Sequence, residues 1–181
     1  MKIAITGHTS GIGKAFAELC THKNIEWSGF SRSNHYDLTT RPFPMRSLLK
    51  AIEDCDVFVN NAYASFGQVD VLYALWDEWN SFDKQIICIS SISPDIPKDY
   101  VWPYSIHKAA LDHACTQLQN IKESKCRVIN IKPALVDTPP ANKLWPELSK
   151  MDVNYMAELI MWCIKQPEYV QLLKIQPRHN A

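Results

Sequence analysis

The sequence predicts an α/β fold: a doubly wound parallel sheet of about seven strands with helices on both faces, in three layers. Three observations carry that expectation. Short apolar segments alternate along the chain with segments of helical period. Two of the apolar segments, DVFVN at 56–60 and QIICIS at 85–90, show none of the polar alternation of a half-exposed strand, as expected when both faces are buried. The first apolar segment opens directly into a glycine-rich turn and then a helix.

In chain order, Lys2–Thr6 (KIAIT) reads as a buried strand. Gly11–His22 reads as a helix with Ile12, Phe16 and Leu19 on one face. A strand at 25–30 follows, and 34–38 is the only place for a third. The stretch 44–55 is helical with Leu48, Leu49 and Ile52 inward. After the strand at 56–60 comes a helix over 69–82, with Leu72, Leu75, Trp76 and Trp79 in period. The strand at 85–90 leads to a long helix at 104–123. A strand at 127–132 (RVINIK), a helix at Val153–Lys165 and a final strand at 169–175 (YVQLLKI) complete the pattern. No internal repeat or linker interrupts it, so residues 1–181 form one domain. The proline-rich stretches 94–103 and 133–146 read as surface loops near a site.

Composition narrows the function. The 181 residues are 46% hydrophobic and 21% charged, the balance of an ordinary globular domain and not of a disordered chain. Nineteen basic and nineteen acidic residues cancel, which leaves no electrostatic footprint for nucleic acid or an anionic membrane. No stretch approaches the ~20 apolar residues of a membrane span, and the N-terminus lacks the apolar run of a signal peptide. The six cysteines, at 20, 55, 88, 115, 126 and 163, form no C-x-x-C pair and no His/Cys cluster with metal-ligand spacing. Buried free thiols in a reducing cytoplasm, with no metal, are the expectation.

Chemistry gathers first at the turn Thr6-Gly7-His8-Thr9-Ser10-Gly11-Ile12-Gly13. Glycine permits a tight turn and close approach of backbone to a phosphate, and the N–H groups and dipole of the following helix favour that charge. A turn of this composition also serves simply to join a strand to a helix. The second strand ends Gly29-Phe30-Ser31-Arg32-Ser33, with no acid to accept from ribose hydroxyls. Ser31 can donate to a phosphate oxygen and Arg32 offers a planar fork, which favours NADP(H) over NAD(H). Further on, Lys108 lies four residues after Tyr104, one turn along the same helical face.

The spacing G-x-x-x-G-x-G resembles the short-chain dehydrogenase/reductase family, whose first turn reads T-G-x-x-x-G-I-G; Thr6, Gly7, Gly11, Ile12 and Gly13 match. The resemblance continues in order. Asn60-Asn61-Ala62 matches N-N-A-G, with Tyr63 in place of the glycine. Ser91 precedes Tyr104 by the common interval of thirteen residues, and Tyr104-Ser105-Ile106-His107-Lys108 matches Y-x-x-x-K. Pro133-Ala134-Leu135-Val136-Asp137-Thr138 is similar to P-G-x-V-x-T, with alanine for glycine.

This resemblance implies a Rossmann-type domain and hydride transfer between NADP(H) and a small-molecule carbonyl or alcohol. It implies Tyr104 as general acid/base, Lys108 lowering the Tyr104 pKa while binding the nicotinamide ribose, and Ser91 orienting the substrate oxygen. Cofactor contacts would come from Gly7, Ser10, Gly11, Ile12 and Gly13, from Ser31 and Arg32, and from Asp37 and Leu38 beside the adenine. Asn60, Asn61, Ala62, Pro133, Val136 and Thr138 would complete the groove. Family members pair through the Tyr-bearing helix, so a homodimer or homotetramer is implied; Ala109, Ala110, Leu111, Ala114 and Leu118 suit a second buried face and equally core packing alone.

Two departures stand out. No asparagine occupies the family's proton-relay place after the strand at 56–60, where Gln68 is the nearest amide. The segment 139–152, which would cover the substrate, is short. Both departures suit an alternative, a non-catalytic NADP(H)-binding sensor; the Ser91, Tyr104 and Lys108 set favours an enzyme. Tyr100, Trp102 and Trp145 fall on the loops expected near substrate, either to pack an apolar ligand or to anchor those loops.

Overall fold

A computed structural model describes residues 1–40 and 42–176 of the chain. The strands are β1 (Lys2–Thr6), β2 (Glu26–Phe30), β3 (Val57–Asn60), β4 (Gln85–Ile89), β5 (Arg127–Pro133) and β6 (Leu172–Ile175). All pair in parallel, in the order β2-β1-β3-β4-β5-β6. The helices are α1 (Gly11–His22), α2 (Met45–Ala51), α3 (Gly67–Trp79), α4 (Pro103–Gln119), α5 (Pro139–Leu144) and α6 (Val153–Lys165).

Strand alternation divides the core in two. Ile3, Ile5, Val57, Val59, Ile87, Ile89, Ile129 and Ile131 face α1 and α6, where Phe16, Cys20, Met156 and Ile160 pack on them. Ala4, Phe58, Ile86, Cys88 and Val128 face α2, α3 and α4, meeting Leu48, Leu72, Leu75 and Leu111. Three layers result, as the continuous apolar strands require. Among the described residues no helix is long and apolar enough to cross a membrane, and no group of His, Cys, Asp and Glu could hold a metal ion. All six cysteines are free and buried.

Among the described residues the sheet has six strands, because 34–38 does not extend. Ser31 and Asn34 close a capping box around a 3-10 turn at Arg32–Asn34. The Asn34 side chain donates to the Gly29 carbonyl at 2.7 Å, and His35 takes a left-handed conformation at φ 71°. Short polar side chains satisfy the backbone locally and remove the donors a strand would use, so β2 is left as the sheet edge. The last strand is also shorter than its apolar pattern. Tyr169 stays outside it, and its hydroxyl accepts from the Val128 N–H at 2.9 Å and donates to the Val128 carbonyl at 2.8 Å. One phenol thus replaces a stretch of backbone ladder.

Helix α4 begins one residue before Tyr104. Pro103 sits at the first helical position, where its missing N–H costs nothing. Helix α6 begins where Asp152 accepts from the Asn154 and Tyr155 amides at 2.8 Å each.

Candidate active site

The glycine turn is built from backbone. Gly7 and Gly11 have φ of +72° and +53°, the left-handed region. At Gly13 a β-carbon would collide with the Gly7 carbonyl oxygen and lie 2.6 Å from Asn61 Nδ2. Ser10 takes the N-cap position of α1, yet its side chain makes no cap hydrogen bond. The first turn of α1 therefore has no side-chain cap from Ser10, a setting that suits an anionic phosphate.

Thr6 joins this turn to the end of β3. It is buried, and its hydroxyl accepts from the Asn61 amide at 2.9 Å and the Ala62 amide at 3.1 Å. Asn61 Nδ2 donates to the Thr6 carbonyl at 2.9 Å. Asn60 is fully buried, and its Nδ2 donates to the Gln68 carbonyl at 2.8 Å. The Asn60 side chain thus ties the end of β3 to α3 and the Asn61 side chain ties it to β1, and both Asn61 and Ala62 lie against Gly7.

Ser31 is buried, with its hydroxyl 2.8 Å from Ser33 Oγ, and Arg32 is exposed beside it. Asp37 caps Thr39 through the backbone and the hydroxyl, which holds its carboxyl below the usual range, with help from the Arg32 charge. Buried Leu38 lies against Gly67 at the start of α3. Pro133 ends β5, Val136 is buried, and Thr138 caps α5 with its methyl group facing Gly11. The residues expected at the cofactor lie at the carboxyl edge of the sheet around β1, where the strand order reverses.

The structure brings Ser91, Tyr104 and Lys108 together at the same edge. Burial pushes the Tyr104 pKa up, and Ser91 beside the phenol offsets this only in part, so the phenol sits above its ordinary value. Lys108 is 3% exposed, and its ammonium lies 5.6 Å from the centre of the Tyr104 ring. Burial lowers Lys108 to about 8, against weaker raising by Cys88, Asp112 and Cys115. Burial is the largest influence on Tyr104, and Lys108 is not among the groups that shift it. Desolvation dominates both groups, and the ammonium faces two oxygens, Gln68 Oε1 and the Ile89 carbonyl, each at 2.7 Å.

Two further residues reach this group. Tyr63, in the place of a glycine, lies 4.9 Å from the Tyr104 ring, and its hydroxyl is 2.8 Å from His107 Nδ1. Its bulk at a glycine position was the available signal. Gln68, 2% exposed, reaches Lys108 directly, and nothing in the local sequence signals that contact.

The loop carrying Ser91 is braced from beneath. Ser93 Oγ lies 2.7 Å from Ser105 Oγ of α4, and Ser91 Oγ accepts from the Ser93 amide at 3.1 Å. Lys132 pairs with Asp95 and Asp112 at 2.8 Å each, and Lys174 pairs with Asp95 at 2.8 Å. Trp102 approaches Tyr104 at 6.2 Å and Trp145 at 5.6 Å. The aromatic loops therefore anchor one another and wall the side of Tyr104 together.

Comparison with solved structures follows from this geometry. A short-chain dehydrogenase/reductase from Vibrio parahaemolyticus superimposes with a TM-score of 0.77 at 16% identity, over 98% of this chain and all of that one. The fold is that of the short-chain dehydrogenases and reductases. An alcohol dehydrogenase from Thermococcus sibiricus, solved with 5-hydroxy-NADP, shares this short-chain dehydrogenase/reductase fold with a TM-score of 0.73 at 19% identity, over 98% and 96% of the two chains. A 3-ketoacyl-(acyl-carrier-protein) reductase from Brucella melitensis, solved with NADH, reaches 0.79 at 15% identity, over 97% and 96%. In sequence, the chain is 24% identical over 227 aligned residues to an uncharacterized oxidoreductase of Staphylococcus saprophyticus, covering 98% of this chain and 97% of that protein. No protein-family model matches the chain.

Proposed function

We propose that this protein is a short-chain oxidoreductase that transfers a hydride between NADP(H) and a small carbonyl or alcohol substrate. The observation that carries this reading is the buried Lys108 ammonium 5.6 Å from the centre of the Tyr104 ring, with Ser91 beside the phenol, at the sheet edge that also holds the glycine turn. The likeness to solved structures bound to 5-hydroxy-NADP or NADH supports a nicotinamide cofactor.

The residues present fit that cofactor. A turn that rejects a β-carbon at Gly13 and leaves the α1 amides uncapped suits a pyrophosphate close to Gly7, Ser10, Gly11, Ile12 and Gly13. Ser31 and Arg32 would receive the 2′-phosphate, and Asp37 and Leu38 would flank the adenine. Asn60, Asn61 and Ala62 would form the floor of the groove. Pro133, Val136 and Thr138 would close its far side, and Lys108 would reach the ribose next to the nicotinamide. The bound cofactor supplies or accepts the hydride.

The chain's own groups handle the proton. A phenol whose pKa is raised by burial is protonated near neutrality. Tyr104 therefore donates its proton to the oxygen that becomes alkoxide during reduction, and Ser91 holds that oxygen by a second hydrogen bond. Phenolate left on Tyr104 gains from the Lys108 ammonium one turn along α4. In the reverse direction the same groups take the proton from an alcohol. Trp102, Trp145 and Tyr100 would pack the apolar part of the substrate. Such an enzyme would act in the cytoplasm, as one domain in a homodimer or homotetramer.

Titration with NADPH and separately with NADH, followed by quenching of the six tryptophans, tests this reading without a known substrate. The expected result is NADPH binding at least tenfold tighter than NADH, about 1.4 kcal/mol. Equal binding would remove the role given to Arg32, and binding of neither by folded protein would end the oxidoreductase reading.

A further inference from the structure

Among the described residues no carboxylate touches the Lys108 ammonium. Its ammonium donates to Gln68 Oε1 and to the Ile89 carbonyl, both neutral, at 2.7 Å. Asp112, one turn further along α4, is held elsewhere, by Lys132 at 2.8 Å and by Asn130 Nδ2 at 2.8 Å. The other groups around Lys108 are two rings and two thiols. They are the Tyr63 ring at 5.7 Å and the Tyr104 ring at 5.6 Å, Cys88 on β4 and Cys115 on α4. His107, its neighbour on α4, is engaged by Tyr63.

Gln68 cannot turn its amide around. It is 2% exposed at the start of α3, and its Nε2 donates to the Asn60 carbonyl at 2.8 Å and to the Ile89 carbonyl at 3.3 Å. A flipped amide would set oxygen against both carbonyls and nitrogen against the ammonium. Its backbone is pinned too, because the Gln68 carbonyl accepts from Asn60 Nδ2 at 2.8 Å. Its Oε1 is therefore aimed at Lys108 by the ends of β3 and β4.

We propose that Gln68 is a positioning residue for the reaction: it holds the Lys108 ammonium in one place through a neutral acceptor, so that Lys108 stays next to Tyr104 with its charge uncompensated. The proposal rests on the oxidoreductase reading above for its role in turnover. The physics of the choice is specific. A buried ammonium with too few acceptors gives up its proton, and a carboxylate in the same place would pair with it and cancel its field at Tyr104. A buried amide whose N–H groups are already engaged offers one strong dipole and no charge. Burial leaves Lys108 little margin, at about 8, so the loss of one acceptor matters at neutral pH.

The test reads Lys108 itself, in the full chain without cofactor. The protein is labelled with 13Cε-lysine, the Lys108 resonance is assigned by its disappearance in Lys108→Met, and pH is titrated by NMR. Gln68→Met fills the same volume without an amide acceptor and should lower the Lys108 midpoint by about one unit, a tenfold loss of proton affinity. Gln68→Glu should raise it by about one unit. In parallel, Gln68→Met should weaken NADPH binding at pH 8, where its Lys108 is mostly neutral, and wild-type affinity should return toward pH 6. A structural role alone would move both midpoints the same way, or neither, and either result would overturn the proposal. Should Gln68→Met fail to fold, the Gln68→Glu midpoint decides by its direction. Failure of wild-type protein to bind NADPH would sink the oxidoreductase reading while leaving the Lys108 titration interpretable.

Discussion

The two walls of the candidate site are made in different ways. The wall at the β1–α1 turn is backbone: left-handed Gly7 and Gly11, and a Gly13 whose missing β-carbon leaves room for the Gly7 carbonyl. All its parts fall within eight consecutive residues. The wall at Tyr104 is side chain. It joins Ser91 after β4, Tyr104 and Lys108 on α4, Gln68 on α3 and Tyr63 after β3, and its groups are tuned by burial more than by one another. The first wall can be disrupted by adding atoms. The second can be detuned by changing one functional group at constant shape.

The largest expected effect is on the second wall. Tyr104→Phe removes the proton donor with little change of volume, and should lower turnover about a thousandfold while leaving NADPH binding near the wild-type value. Steady-state rates with any ketone the wild type reduces, set beside the tryptophan titration, check this. Equal loss of binding and turnover would show that the two walls are not separable.

Burial of Lys108 also predicts a dependence of stability on pH. An ordinary lysine titrates near 10.5 and this one at about 8, so between those values the unfolded chain binds more protons and native stability gains from this group as pH rises. Below about 8 the charged lysine costs the native state up to about 3 kcal/mol. Lys108→Met removes that cost. Its stability advantage over wild type, measured by urea unfolding, should therefore shrink between about pH 8 and pH 10. A constant difference across that range would mean that Lys108 is not desolvated.

On the first wall, Gly13→Ala forces a β-carbon against the Gly7 carbonyl and Asn61 Nδ2. It should destabilise the fold by about 2 kcal/mol and weaken NADPH binding as well, both measurable on one sample by thermal unfolding and titration. The smallest effect belongs to exposed Arg32. Arg32→Ala should weaken NADPH about tenfold and leave NADH unchanged. A parallel loss for both cofactors would place Arg32 outside the 2′-phosphate contact.

The sequence was most legible where structure is local. Continuous apolar runs marked β1, β3, β4 and β5 in their places, and helix α6 matched its expected span, with Asp152 capping it. The glycine turn announced itself by spacing. The reading failed where short polar side chains outcompeted the ladder, at Ser31 and Asn34, and where Tyr169 replaced backbone pairing at the sheet edge. In both places the apolar pattern was compatible with a strand, and a single hydrogen-bonding side chain decided otherwise.

The sequence by itself determined the layered α/β architecture, the glycine turn, and the order and spacing of Ser91, Tyr104 and Lys108. These follow from hydrophobic period, glycine geometry and helical pitch, which are properties of neighbouring residues. Only the tertiary structure decided what state those groups are in. The raised Tyr104, the lowered Lys108 and the amide that faces it depend on how deeply β3, β4, α3 and α4 bury them. Desolvation and hydrogen-bond partners belong to the packed molecule, because the residues that create them lie some forty positions apart in the chain and meet only when the sheet closes.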